Sequence, residues 1–307
     1  MSKHCQYLKP TSNSVCESYI KPGTCARPDL FRCTEYIMKF EPILSYSGVN
    51  SFMKCKRLYY YGQMLGVQVK EDYQSDALKM GKMIDYYITQ NTACFLIQGD
   101  TLWQAKVFAI TEVFVKLGFN INGYSGQIKF LIQEDGHPQI KGFIDLEAND
   151  KTHFIELKCT SKPDYYTNPY WIHDQVGTYF LSNPNYQYAI MWVIRVPMLK
   201  QTGAFKDESL EDYKDRCVRD MLKRPSWYFQ GYDKDTGTFG LKFYRSEFDL
   251  DGLKARYRWI ADEIKNCTEA DYWYQDRTQC INPWKCDYMR ICDSGGISND
   301  VYERRKK

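Results

Sequence analysis

The chain has 307 residues, enough for one large domain or two small ones around a sizeable core. Charged residues make up 26% and hydrophobic ones 44%; the formal charge of +3 excludes a generally basic nucleic-acid binder but permits a local basic groove. The chain opens MSKHCQYLKP with no apolar leader and holds no apolar run long enough for a bilayer, so a cytosolic protein with no membrane partner is expected, its 12 cysteines read as thiols or metal ligands rather than disulfides.

Residues 1–45 form a Cys-rich segment in which Pro10, Pro22, Gly23 and Pro28 break any long element. Cys5, Cys16, Cys25 and Cys33 stand in C-x10-C-x8-C-x7-C spacing, with His4 able to replace Cys5. A segment this short without a core of its own reads as a zinc knot or as four unligated thiols. Helical character follows over Ser51–Met64, Tyr73–Thr89 and Trp103–Lys116. The period then changes. Gln127–Gln133, Gln139–Glu147 and Thr152–Lys158, separated by the turns EDGHP and ANDK, predict a three-stranded meander. Trp171–Leu181 is a predicted helix, Tyr188–Val196 a buried strand, and Glu208–Leu222 and Glu247–Asn266 further helices. The order predicts an α/β fold over residues 46–307, a mixed central sheet flanked by helices.

Within FIELKCT, residues 154–160, alternation puts Glu156 and Lys158 on one side of a strand and Leu157 in the core. The same acid-x-Lys spacing recurs at Asp212–Lys214 and Glu263–Lys265, but in helical segments, where it reads as a solvated face. The preceding strand offers Asp145, with ten residues and a tight turn before Glu156. Two carboxylates held side by side repel, and a cation resolves the repulsion. Oxygen ligands of this kind suit Mg²⁺ or Mn²⁺, with Lys158 orienting a water or offsetting phosphate charge. The bland alternative is a salt bridge of Lys158 to Asp145 or Glu156.

G-x-x-D followed at this distance by E-x-K resembles the PD-(D/E)xK nuclease superfamily. HDQVGTYF, with Gln175 and Tyr179 at i, i+4, is similar to the Q-x-x-x-Y motif of its RecB-type branch. MGKMIDYYI resembles that branch's G-x-x-x-H helix, with Gly81 at the glycine and Asp85 where the branch has a histidine. Downstream, QCINPWKCDYMRIC spaces Cys280, Cys286 and Cys292 as C-x5-C-x5-C. With Cys55 upstream, this resembles the one-plus-three cysteine clasp of AddB-type and CRISPR-adaptation nucleases and of the eukaryotic replication helicase–nucleases. The resemblance covers about Ser51–Cys292 and implies a restriction-endonuclease-like core.

It further implies a metal-dependent DNA exonuclease acting on single-stranded ends in recombination, repair or processing. Asp85, Asp145, Glu156 and the Leu157 carbonyl would hold Mg²⁺ or Mn²⁺, with Lys158 as the catalytic lysine. Gln175 and Tyr179 would position DNA. A 4Fe–4S cluster, or zinc, would sit on Cys55, Cys280, Cys286 and Cys292. Lys54, Lys56 and Arg57 beside Cys55 would meet phosphates or serve solubility. Cys94, Cys159, Cys217 and Cys267 read as ordinary thiols. The stand-alone size resembles CRISPR-associated or phage-encoded members, which would place a phage protein in host cytoplasm. A non-catalytic DNA-binding or scaffolding module on the same fold is the rival expectation.

Overall fold

The computed structural model describes residues 41–90, 100–281 and 285–305. Cys5, Cys16, Cys25, Cys33 and Cys94 lie outside them. Helix α1, Tyr46–Lys54, starts where Ser45 Oγ accepts the Gly48 N–H at 3.1 Å. Cys55 then turns extended, at φ −161°, and separates α1 from the short α2, Lys56–Tyr59, which runs into a π turn at Tyr60–Met64. The single helix expected over Ser51–Met64 is therefore broken at Cys55. Strand β1, Val67–Val69, precedes α3, Asp76–Thr89, capped by Ser75, and α4, Leu102–Lys116, capped by Thr101.

The meander is present as β2, Tyr124–Ile132, β3, Ile140–Ala148, and β4, His153–Thr160. Helices α5, Asp164–Thr167, and α6, Pro169–Ser182, lead to β5, Tyr188–Arg195. After α7, Leu210–Lys223, and α8, Pro225–Tyr228, a strand absent from the sequence reading, β6, Leu241–Tyr244, completes the sheet. Helix α9, Leu250–Glu269, the short α10, Met289–Ser294, and β7, Tyr302–Arg304, follow.

The main sheet runs β2-β3-β4-β5-β6, with β4–β5 parallel and the other pairs antiparallel. Helices cover both faces. Ile155, Leu157, Trp192 and Ile194 pack with α3, α4 and α7, while Phe154, Met191 and Val193 pack on Val176, Tyr179 and Phe180 of α6. A third cluster joins α1 to α9 through Val49, Phe52, Tyr257 and Ile260. Leu44, 1% exposed, belongs to it, and its N–H bonds the Gln139 carbonyl at 2.8 Å. The core thus starts before residue 46. Antiparallel β1 and β7 tie the first core segment to the C-terminal one.

The β2–β3 hairpin bends sharply in its middle. Tyr124 and Leu146 pack in the α3–α4–α7 cluster, yet Ile128 and Ile144, of the same parity, pack against α6. Period-two alternation therefore changes face between them. The ladder pairs Gly126 with Leu146 and Ile128 with Ile144, skipping Gln127 and Asp145. Gln127 has φ 52°, the left-handed region that non-glycine residues rarely occupy. Gly126 allows the bend to seat on α3, since a Cβ there would lie 2.6 Å from the Thr89 carbonyl oxygen. Strand β3 pairs with β4 only at Leu146–Ile155 and Glu147–Phe154, then separates from it. No described helix is long and apolar enough to cross a membrane.

Candidate active site

The gap between β3 and β4 is where the predicted site residues meet. Glu156 and Lys158 share the face of Phe154, and Leu157 is buried on the other, as alternation requires. Asp145 is next in register after Leu146–Ile155, opposite Glu156. Its Oδ2 accepts the Leu157 N–H at 2.8 Å in place of a ladder bond. A strand residue directs its N–H and C=O to the same side, so the Leu157 carbonyl is also turned to the gap.

Helix α3 brings Asp85. Gln127 Nε2 donates to its Oδ1 at 3.2 Å and Oδ2 at 3.0 Å. Helix α6 brings Gln175 and Tyr179, both turned inward. Gln175 Nε2 donates to Glu156 Oε1 at 2.7 Å and to the Tyr179 hydroxyl at 2.9 Å. Lys158 Nζ donates to the same Oε1 and lies 5.9 Å from the Tyr166 ring centroid. Glu156 is 2% exposed, and its second oxygen, Oε2, is buried without a hydrogen-bond partner. An orphaned buried acceptor costs about 1–3 kcal/mol, more when charged.

The electrostatics describe a crowded anionic pocket. Burial, then Glu156, raise Asp145 to about 9, with Lys158 and the Leu157 N–H offsetting only part. Burial and Glu156 raise Asp85 to about 6 against the pull of Lys158 and Gln127. For Lys158, burial opposes the charge, but Glu156 and Asp145 outweigh it and its pKa ends above the ordinary value. Without a cation, Asp145 keeps a proton through neutral pH and Asp85 favours one only below about 6. The bland alternative is also visible, since Lys158 does pair with Glu156. That pair leaves Oε2 unpaired and the two aspartates crowded. An all-oxygen donor set fits Mg²⁺ or Mn²⁺. Among the described residues, no three His, Cys, Asp or Glu groups already stand at metal-holding spacing. The fit therefore rests on Oε2 and on the donor chemistry.

The second predicted centre lies apart. Cys55, Cys280, Cys286 and Cys292 line one cavity of about 270 Å³ together with Lys54 and Lys285. All four are free thiols. The extended backbone at Cys55 turns its Sγ toward the C-terminal segment, where it accepts the Asp276 N–H at 3.4 Å. Burial, then the neighbouring cysteines, raise the Cys286 thiol, though the Tyr288 N–H opposes this. Cys292 is raised by burial and by Cys55 and Cys280, against Arg57. Four free thiols on one cavity fit, by donor chemistry, a thiolate-loving metal, iron–sulfur or zinc. Of the flanking basic residues, Lys56 is paired with Glu263 at 2.8 Å.

Several other sequence readings find their place. The Asp212–Lys214 and Glu263–Lys265 triplets sit on α7 and α9, where Lys214 pairs with Glu211 at 2.6 Å and Lys265 with Glu41 at 2.8 Å. Cys217 and Cys267 are buried, Cys159 half-buried with its thiol raised by burial to about 12. Gln127 carries no signal of its own in the sequence; QIKFLIQ reads as plain alternation, and only the preceding glycine hints at a bend. Tyr46, whose phenol is raised by burial and acted on by Lys158 and Glu156, also escapes pattern reading because α1 is distant in sequence. No protein-family model matches the chain, and no curated protein does.

Proposed function

We propose that the chain is a metal-dependent nuclease of the PD-(D/E)xK type, an exonuclease that hydrolyses phosphodiester bonds at single-stranded DNA ends in recombination, repair or processing. The observation that carries this reading is the meeting of Asp85, Asp145, Glu156 and Lys158 at a bent hairpin, with Glu156 Oε2 buried and unpartnered. A five-stranded mixed sheet between helical layers supports a restriction-endonuclease-like core.

Asp85, Asp145, Glu156 and the Leu157 carbonyl would hold Mg²⁺ or Mn²⁺, which when bound supplies Lewis-acid polarisation of the phosphate and an activated water. Lys158 keeps its proton and presents a fixed cation for charge developing on phosphate oxygens. Gln175 and Lys158 both donate to Glu156 Oε1 and leave Oε2 without a partner; Tyr179 holds Gln175 in place. In this arrangement Gln175 and Tyr179 position the carboxylate, a role nearer the protein than the DNA contact expected of the motif. Cys55, Cys280, Cys286 and Cys292 would carry a 4Fe–4S cluster or zinc, closing the N-terminal core segment on the C-terminal one.

The test is cutting of end-labelled single-stranded DNA by Lys158→Ala and Glu156→Gln, each checked for parental melting. Loss of cutting in folded variants is expected. Parent-level cutting by either overturns the reading. A parent that binds DNA but never cuts it with Mg²⁺ or Mn²⁺ makes the protein a binding module instead.

A further inference from the structure

Beyond the bend, the described residues cover the β2–β3 hairpin on one face only. Ile128, Phe130, Ile132, Ile140 and Ile144 pack inward. Lys129, Leu131, Lys141 and Phe143 point out, Leu131 at 50% and Phe143 at 55% exposure. The register sets Lys129 opposite Phe143 and Leu131 opposite Lys141, so cations and apolar groups alternate across the strand pair. Neither lysine has an acidic partner among the described residues. Glu134, at the hairpin tip, is held by Lys254 at 2.9 Å. Along the strands this face starts beside the carboxylate group: Phe143 is two residues before Asp145, and Lys129 two after Gln127.

Which occupant fits follows from charge. An apolar protein surface would desolvate two unpaired ammonium groups, a cost it could not return. A polyanion with flat apolar rings satisfies both kinds of group at once. A lysine on an edge strand also blocks edge-to-edge pairing, which explains Lys129 but not an exposed phenylalanine beside it.

We propose that this face is a platform for an unpaired nucleic-acid strand approaching the carboxylate pocket, with Phe143 stacking a base and Lys129 and Lys141 taking phosphates. The proposal rests on the nuclease reading and adds to it the surface that receives the single strand.

The experiment is fluorescence anisotropy of a labelled single-stranded oligonucleotide in EDTA, which separates binding from cutting. The parent, Phe143→Ala and Lys129→Ala/Lys141→Ala are compared across a salt series, with a duplex of the same sequence alongside. All substituted side chains are exposed, and melting confirms folding. Phe143→Ala should weaken single-strand binding about tenfold, while leaving the duplex nearly unchanged. The double lysine variant should lower the slope of log affinity against log salt by about 1.4. If the parent cuts DNA and both variants bind like it, the platform is wrong and the nuclease reading stands. If the lysine variant changes only solubility, or Phe143→Ala dissolves a dimer without altering DNA affinity, the platform is likewise overturned. A parent that neither binds nor cuts removes the nuclease reading and the platform with it.

Discussion

Gln127 offers a separation of backbone strain from site chemistry. Its φ of 52° costs an L-residue roughly 1–2 kcal/mol. Its amide donates to both Asp85 oxygens, at 3.2 and 3.0 Å. Gln127→Ala and Gln127→Gly both remove that amide, but only glycine also relieves the strain. Glycine gives back about 0.5–1 kcal/mol in backbone entropy. The difference leaves Gln127→Gly more stable than Gln127→Ala by roughly 1 kcal/mol, or about 1.5 °C in a chain of this size. Scanning calorimetry in EDTA reads that gap. Titration calorimetry with Mn²⁺ reads the other half: both variants should bind roughly 10–100-fold more weakly than the parent, the usual effect of losing an outer hydrogen-bond partner. Equal melting of the two variants would refute the strain, and parental Mn²⁺ affinity in Gln127→Ala would refute the orienting role.

Other expectations concern the same centres. Asp145 and Asp85, raised from 3.8 to about 9 and about 6, bind more protons folded than unfolded, so their contribution to stability falls as pH rises from about 4 to about 9. Melting in EDTA should therefore drop over that window relative to Asp145→Asn, and Mn²⁺ should remove the drop; parallel profiles would contradict the crowding. Gly126→Ala would place a Cβ 2.6 Å from the Thr89 carbonyl oxygen, so a loss of about 1–3 kcal/mol is expected in chemical denaturation; a neutral result would mean the bend does not lean on α3. Cys286→Ser should lower the iron or zinc content of anaerobically purified protein, measured by elemental analysis, and lower its melting temperature. Unchanged metal content would remove Cys286 from the clasp.

The central strands were legible because β3, β4 and β5 carry strong alternation or unbroken apolar runs, and Glu156, Lys158 and Asp145 follow from register alone. Helix starts at α3, α4 and α7 shifted by a few residues to the capping Ser75, Thr101 and Ser209. The break at Cys55 was hidden because its neighbours are good helix formers, and only tertiary contacts with residues 274–276 pull it straight. Strands β1, β6 and β7, of three or four residues, are too short to show a period. The face change at Gln127 could not be read, since a strained backbone held by tertiary packing leaves no period of its own. The inward turn of Gln175 depends on its bonds to Glu156 Oε1 and the Tyr179 hydroxyl, a three-dimensional fact.

The most direct measurement is a digestion panel with parent and Asp145→Asn. End-labelled linear and circular single-stranded DNA are each incubated with Mg²⁺, Mn²⁺ or EDTA. Progressive shortening of the linear strand by the parent, only with a divalent ion and not by the folded Asp145→Asn protein, is expected. Equal degradation in EDTA, or full activity in Asp145→Asn, would contradict a carboxylate-held metal as the source of the chemistry.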